Sequence, residues 1–313
     1  MLLKGRNCNA FMNKTLEEWV GNMLEEKKTI INCSVGTIAT SDVIATNGEI
    51  TLIRRLVAGA TIDLEELILI SEELYYTVAK NDFIVKYLVE LKEKDEYTFH
   101  HSINTAIYSM LIGKWLHLSR TDINNLILSG LLHDIGKMKI SNEILNKPGK
   151  YTEDEYRIMK LHPIYGHEML ETVNNLDQDV RLAVLLHHER SDGSGYPYHF
   201  TQEKLNLTSK IVAFADVYDA MISDRVYRKK MTPFEAFAIL LKSLSHQFDS
   251  KIVNTFIKKY PAYLIGATVC LSNGERGVIV HIPESDIASP IVMIGKKSID
   301  FTICRTLKII NIE

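Results

Sequence analysis

The sequence predicts a mainly α protein, with a smaller helical or mixed module ahead of its helical body and a short β unit behind it. Three observations carry this expectation. Residues 86–260 read as consecutive helices, several of them opened by a recognisable start signal. From Pro261 onward the apolar residues are β-branched and gather around an Asn273–Gly274 turn. Residues 1–85 mix two helical patterns with a stretch rich in Thr, Ile and Val.

In chain order, TLEEWVGNMLEEKK and DLEELILISEELYYTVAK carry apolar residues at helical spacing, with acids on the opposite face. The stretch between them, GTIATSDVIATNGEITLI, is ambiguous. The module is read either as regulatory or as a packing partner only. Ser119 with Asp122 forms a capping box that opens a helix through NNLILSGLLHD, and Gly136 is placed to end it. Thr152 with Glu155 opens the next, through EYRIMKLHP. Thr232, Pro233 and Glu235 supply an N-cap, a first-turn proline and a third-position acid ahead of FEAFAILLKSL. In the tail, VCLSNGERGVIVHI reads as a hairpin, followed by strands in PIVMIG and TLKIINI. About 50 residues are too few for a comfortable core, so this unit is expected to dock on the helices. The expected division is 1–85, 86–260 and 261–313.

Composition excludes several classes. The 313 residues are 46% hydrophobic and 24% charged, as in ordinary globular proteins, and the net charge of -3 argues against a DNA- or RNA-polymer-binding surface. No run of about 18 apolar residues occurs, so no membrane span is expected. The N-terminal stretch lacks a signal-peptide core, which predicts a cytoplasmic protein. Cys8, Cys33, Cys270 and Cys304 follow no CxxC spacing and are read as reduced, small core residues.

The chemical signal is histidine. His100, His101, His133, His162, His167, His187 and His188 all fall between positions 100 and 188, several beside a carboxylate or another imidazole. Neighbouring side chains on a helix diverge by about 100°, so His133 and Asp134 seldom serve one ion together. A carboxylate has two oxygens, however, and can bridge two ions. Lys137, one turn on, can set an ammonium beside a phosphate. Two consecutive imidazoles after the apolar LAVLL are costly to bury without partners, and two nearby metals would use both. Asp216 and Asp219 lie three apart on one helical face, and an inward Asp216 needs a cation. Nitrogen and oxygen donors without a thiolate suit iron or manganese better than structural zinc. Two such ions about 4 Å apart form a clamp for phosphodiester hydrolysis.

The series HDIGK, HPIYGHEML, HHERSDGSGYP and DVYDAMISDRVYRK resembles the HD-GYP subfamily of the HD phosphohydrolases, and DEYTFHHS resembles its opening motif. The resemblance covers roughly residues 90–260. It implies an HD-type helical bundle that hydrolyses cyclic dinucleotides, chiefly cyclic di-GMP, to pGpG and/or GMP by a two-metal-activated hydroxide. It implies His101, His133, Asp134, His162, His187, His188 and Asp216 as ligands of two divalent ions, with Asp134 bridging. His100 is expected to be a bystander or to support the ligands from behind, and His167 to be a packing or hydrogen-bonding residue. A third ion would use a glutamate where Tyr97 stands, and Glu96 is one residue out of step, so two are favoured and a third is only allowed.

Catalytic roles fall on Asp134 and Lys137 by the same resemblance. Tyr196, on a loop shaped by Gly193, Gly195 and Pro197, is expected to face a guanine and a phosphate. Arg225, Arg228 and Asp219 complete the substrate set, with Val226 standing where the family often has proline. A homodimer is compatible with this reading. The competing readings are an HD-type phosphohydrolase for another nucleotide, a cyclic dinucleotide sensor without hydrolysis, and a helical bundle with coincidental histidines.

Overall fold

The computed structural model describes residues 62–80, 97–223 and 230–312. The expectations for residues 1–61, for Glu96, and for Arg225, Val226 and Arg228 lie outside the described residues.

Helix α1 (Leu64–Lys80) follows Asp63, whose side chain accepts the Glu65 N–H at 3.0 Å, and buries Leu67, Ile70, Leu74 and Val78 at helical spacing. Helix α2 (Tyr97–Trp115) is buried on nearly every side through its centre, as a central helix must be. Helix α3 (Arg120–Leu132) opens on the expected Ser119–Asp122 capping box. It packs closely on α2 because Gly130 has no side chain: a Cβ there would lie 2.4 Å from Ala106 Cα.

The chain then makes a 3₁₀ turn (Ile135–Lys139) and the short helices α4 (Asn142–Leu145) and α5 (Glu153–Met159). Helices α6 (His162–Glu171), α7 (Gln178–Leu186), α8 (Leu207–Ile222), α9 (Pro233–Ile239) and α10 (Ser250–Lys259) follow. The capping boxes at Thr152–Glu155 and Thr232–Glu235 both form. The apolar pattern after Pro233 is helical only to Ile239, then widens into a π-turn at Leu240–Leu244.

Gly136 does not end α3. That helix stops at Leu132, and Gly136 sits inside the 3₁₀ turn, where a Cβ would lie 1.9 Å from His162 O and 2.4 Å from Gly166 N. Its missing side chain lets the turn lie against the start of α6. Helices α2, α3 and α8 pack together, α7 contacts α3 and α8, and α6 joins α7 to the turn. This packing gathers the C-terminal ends of α3 and α7, the first residue of α6, and inward faces of α2 and α8.

The tail forms one antiparallel sheet of β1 (Thr268–Leu271), β2 (Arg276–His281), β3 (Ile291–Ile294), β4 (Lys297–Asp300) and β5 (Ile309–Ile312), in the order β4-β3-β2-β1-β5. The β1–β2 turn runs through Asn273 and Gly274, the glycine at φ 86°. Strand β4 escaped the sequence reading because Lys297 and Ser298 are exposed and only Ile299 turns inward. Val269, Leu271, Ile279, Val292 and Ile312 continue the helical core, so the sheet shares that core rather than building its own. Cys270 and Cys304 are free thiols but half-buried, not the core residues expected. No helix among the described residues is long and apolar enough to cross a membrane.

Candidate metal centre

Three imidazoles are oriented by the same local device. Nδ1 of His133 lies 2.8 Å from Gly130 O, Nδ1 of His162 lies 2.8 Å from Met159 O, and Nδ1 of His187 lies 2.8 Å from Val184 O. A carbonyl only accepts, so Nδ1 carries the proton in each ring and Nε2 presents its lone pair. His101 is held in the same sense by a carboxylate, its Nδ1 donating to Asp219 Oδ2 at 2.7 Å.

Those lone pairs converge. Asp134 stands between them, with Oδ2 3.3 Å from His133 Nε2 and 3.9 Å from His101 Nε2, and Oδ1 3.2 Å from His162 Nε2 and 3.9 Å from His187 Nε2. His162 and His187 face each other Nε2 to Nε2 at 3.2 Å. With both protons on Nδ1, two lone pairs meet there, an arrangement that calls for a cation between them. His133 Nε2 and Asp134 Oδ1 are buried without a hydrogen-bond partner, as atoms reserved for an ion would be.

Two donor groups result: His101, His133 and Asp134 in one, and Asp134, His162, His187 and His188 in the other, the donor atoms of each lying within 4.8 Å of one another. Asp134 is common to both. Asp216 belongs to neither group by that distance yet spans them, with Oδ1 3.1 Å from His101 Nε2 and Oδ2 3.8 Å from His188 Nδ1. His100 and His167 lie outside both groups; His167 Nδ1 is 3.7 Å from Glu171 Oε1 on its own helix.

The electrostatics suit electron-pair donors. Burial, reinforced by neighbouring imidazoles, pushes His187 and His188 well below the usual histidine range, so both are neutral. Burial opposes charge on Asp134, but His133 and Lys137 hold it well below the carboxylate range; for Asp216, His101 does the same. At His101, burial is outweighed by hydrogen bonds to Asp216 and Asp219, which raise it to about 9. His101 is therefore protonated at neutral pH and gives up its Nε2 proton when an ion binds, whereas the neutral His187 and His188 and the ionised Asp134 and Asp216 can hold divalent metal ions as they stand.

Asp219, expected at the substrate, is fully buried. Its Oδ2 faces His101, and its Oδ1 accepts from Asn104 Nδ2 at 2.9 Å and Ser223 Oγ at 3.0 Å. Lys137 Nζ donates to Asp134 Oδ2.

The Tyr196 loop is built on the paired histidines. Tyr196 N–H donates to His188 O at 3.2 Å, and its ring stacks on His188 at 4.6 Å. Gly195 is required, since a Cβ would lie 2.4 Å from both Glu189 Cα and His188 O. Glu189, 1% exposed, accepts the N–H groups of Tyr198 at 2.7 Å and Phe200 at 3.0 Å. The sequence reading passed over Glu189. Its signal was an acid between two imidazoles and a glycine-rich loop whose amides need acceptors.

Comparison with known proteins returns the same region. A family model described as HD domain matches residues 85–252. The chain is 34% identical over 245 residues to the cyclic di-GMP phosphodiesterase PA4108 of Pseudomonas aeruginosa, covering 78% of this chain and 59% of that protein. It is 40% identical over 149 residues to the cyclic di-GMP phosphodiesterase response regulator RpfG of Xanthomonas campestris, covering 47% of this chain and 39% of that one. The chain thus spans less than two thirds of the length of these relatives. Among solved structures, Bd1817, an HDG"Y"P protein from Bdellovibrio bacteriovorus, has a similar fold: TM-score 0.57 at 16% identity, over 76% of this chain and 79% of that one.

Proposed function

The chain belongs to the HD domain family, and from that premise we propose that it is a metal-dependent phosphodiesterase that opens a cyclic dinucleotide, cyclic di-GMP first among them. The observation that carries this reading is the pair of donor groups sharing Asp134. His101, His133, Asp134 and Asp216 would hold one ion, and Asp134, His162, His187 and His188 the other, iron or manganese being the choice that imidazole and carboxylate donors favour. When bound, the ions supply Lewis-acid charge for the phosphate and lower the pKa of water. The substrate class rests on the relatives, both named for cyclic di-GMP.

The protein's own groups have distinct tasks. Asp134 keeps the two donor groups at a fixed separation. Lys137 lies 30% exposed on an oxygen of Asp134 and offers positive charge to a phosphate at the site's edge. Asp219 acts through His101, fixing its tautomer and ring plane, rather than on the substrate. Burial raises the Tyr196 phenol, so it stays protonated and donates to a phosphate oxygen. Arg225 and Arg228 are assigned to the second phosphate by resemblance. The net reaction adds water across a P–O3′ bond and yields a linear dinucleotide, with GMP if a second bond is cut.

Anaerobic purification, metal quantification and turnover of a panel of cyclic dinucleotides with added Mn²⁺ or Fe²⁺ test this reading. Two ions per chain and hydrolysis of cyclic di-GMP are expected, with Asp134→Ala slower by roughly 10³-fold or more. Full activity in Asp134→Ala, or a metal-loaded protein that binds the dinucleotide without cleaving it, contradicts it.

A further inference from the structure

Lys160 caps the C-terminal end of α5, two residues before His162. Its ammonium lies 5.0 Å from the ring centre of Tyr156 and 5.9 Å from that of Tyr196. Tyr196 in turn stacks on His188 at 4.6 Å. A continuous series therefore runs from the candidate metal centre outward: imidazole, phenol ring, ammonium, phenol ring. It ends on Tyr156, which is 49% exposed. Tyr156 also lines a shallow depression of about 360 Å³ together with Gly149, Lys150, Tyr151, Thr152 and Glu153.

Two other lysines of this stretch are held by carboxylates. Lys137 is paired with Asp134, and Lys147 with Glu155 at 2.6 Å. No described carboxylate forms an ion pair with the half-buried Lys160. Its neighbours are aromatic faces, which attract a cation more weakly than an anion does.

We propose that Lys160 and Tyr156 form a distal subsite for the substrate, Lys160 joining Arg225 and Arg228 on the phosphate that is not being cut and Tyr156 presenting its face to a base. This deepens the phosphodiesterase reading above and rests on it. A cyclic dinucleotide carries two phosphates and two bases. If the metal centre takes one phosphate, the other needs positive charge at a distance from the ions, and Lys160, 5.9 Å from the Tyr196 ring centre, adds its charge to that of Arg225 and Arg228. Tyrosine faces accept any base, so the subsite selects for a second nucleotide rather than for a particular one.

The test compares full-length, metal-loaded wild type with Lys160→Met, Lys160→Arg and Tyr156→Ala. In Lys160→Met, KM for cyclic di-GMP rises about tenfold or more while kcat changes much less, because a charged contact made equally in ground and transition state is lost. Lys160→Arg keeps the charge and recovers most of the lost affinity. Tyr156→Ala also raises KM. Bound metal, measured on each variant, stays at the wild-type level. Wild-type KM in Lys160→Met overturns the subsite, and so does a loss in kcat that follows loss of metal. If wild type itself leaves cyclic di-GMP intact, the phosphodiesterase reading fails and the subsite with it, a result distinct from failure of the subsite alone.

Discussion

The carbonyls of Gly130, Met159 and Val184 decide which nitrogen of His133, His162 and His187 can bind a cation. Each carbonyl belongs to the helical turn just before its histidine, so the ring is oriented by backbone that is already folded. His101 is oriented instead by Asp219, which Asn104 and Ser223 hold in turn. Replacing Asp219 by Asn weakens the acceptor and lets the imidazole choose its other tautomer. Metal affinity in Asp219→Asn is expected to fall by roughly 10- to 100-fold, as for other groups that orient a ligand from behind. Titration with Mn²⁺ checks this; unchanged affinity together with raised KM would return Asp219 to the substrate. At this scale the sequence pointed to the side chains that converge, because His-Asp and His-His neighbours are visible in any chain. It did not pair Asp219 with His101, because His101 lies 118 positions away and the packing of α2 on α8 joins them.

Helix ends do most of the work of assembling the centre. His133 and Asp134 follow α3, His162 opens α6, and His187 and His188 follow α7. Residues at helix ends can point along the axis into a shared space, as mid-helix residues cannot. The approach of α2 to α3 is set by Gly130, and Gly130→Ala forces its Cβ against the Ala106 backbone. Overpacking of this kind costs about 1–3 kcal/mol, so urea denaturation is expected to show a lowered midpoint with α2 displaced and metal uptake impaired. A midpoint equal to wild type would show that the crossing has slack. The capping boxes at Ser119, Thr152 and Thr232 were legible because three or four consecutive residues determine them. Gly136 was misread for the opposite reason. A glycine after a helix is locally a stop signal, but here its hydrogen is needed by His162 and Gly166, which are contacts of the tertiary fold. Strand β4 was missed because an exposed edge strand carries too few apolar residues to show alternation.

Across the whole molecule, donors spread from position 101 to position 216 meet in one buried space. In that space the Nε2 atoms of His162 and His187 meet lone pair to lone pair until a cation enters, so metal and fold are coupled. Chelation is expected to lower the melting temperature, and metal at about 100 times its dissociation constant to restore some 2.7 kcal/mol. Calorimetry with EDTA and then Mn²⁺ checks this, and a melting temperature indifferent to both would mean the centre holds no ion that matters to the fold. The fold class and the sheet were readable from periodicity and the Asn273–Gly274 turn. The shared core was only an inference from the sheet's small size. The most direct test is anomalous diffraction at the manganese or iron edge from crystals grown with that metal. Two peaks are predicted on opposite sides of the Asp134 carboxylate, one beside His101 and His133 and one beside His162, His187 and His188; a single peak, or none within reach of Asp134, would contradict the account.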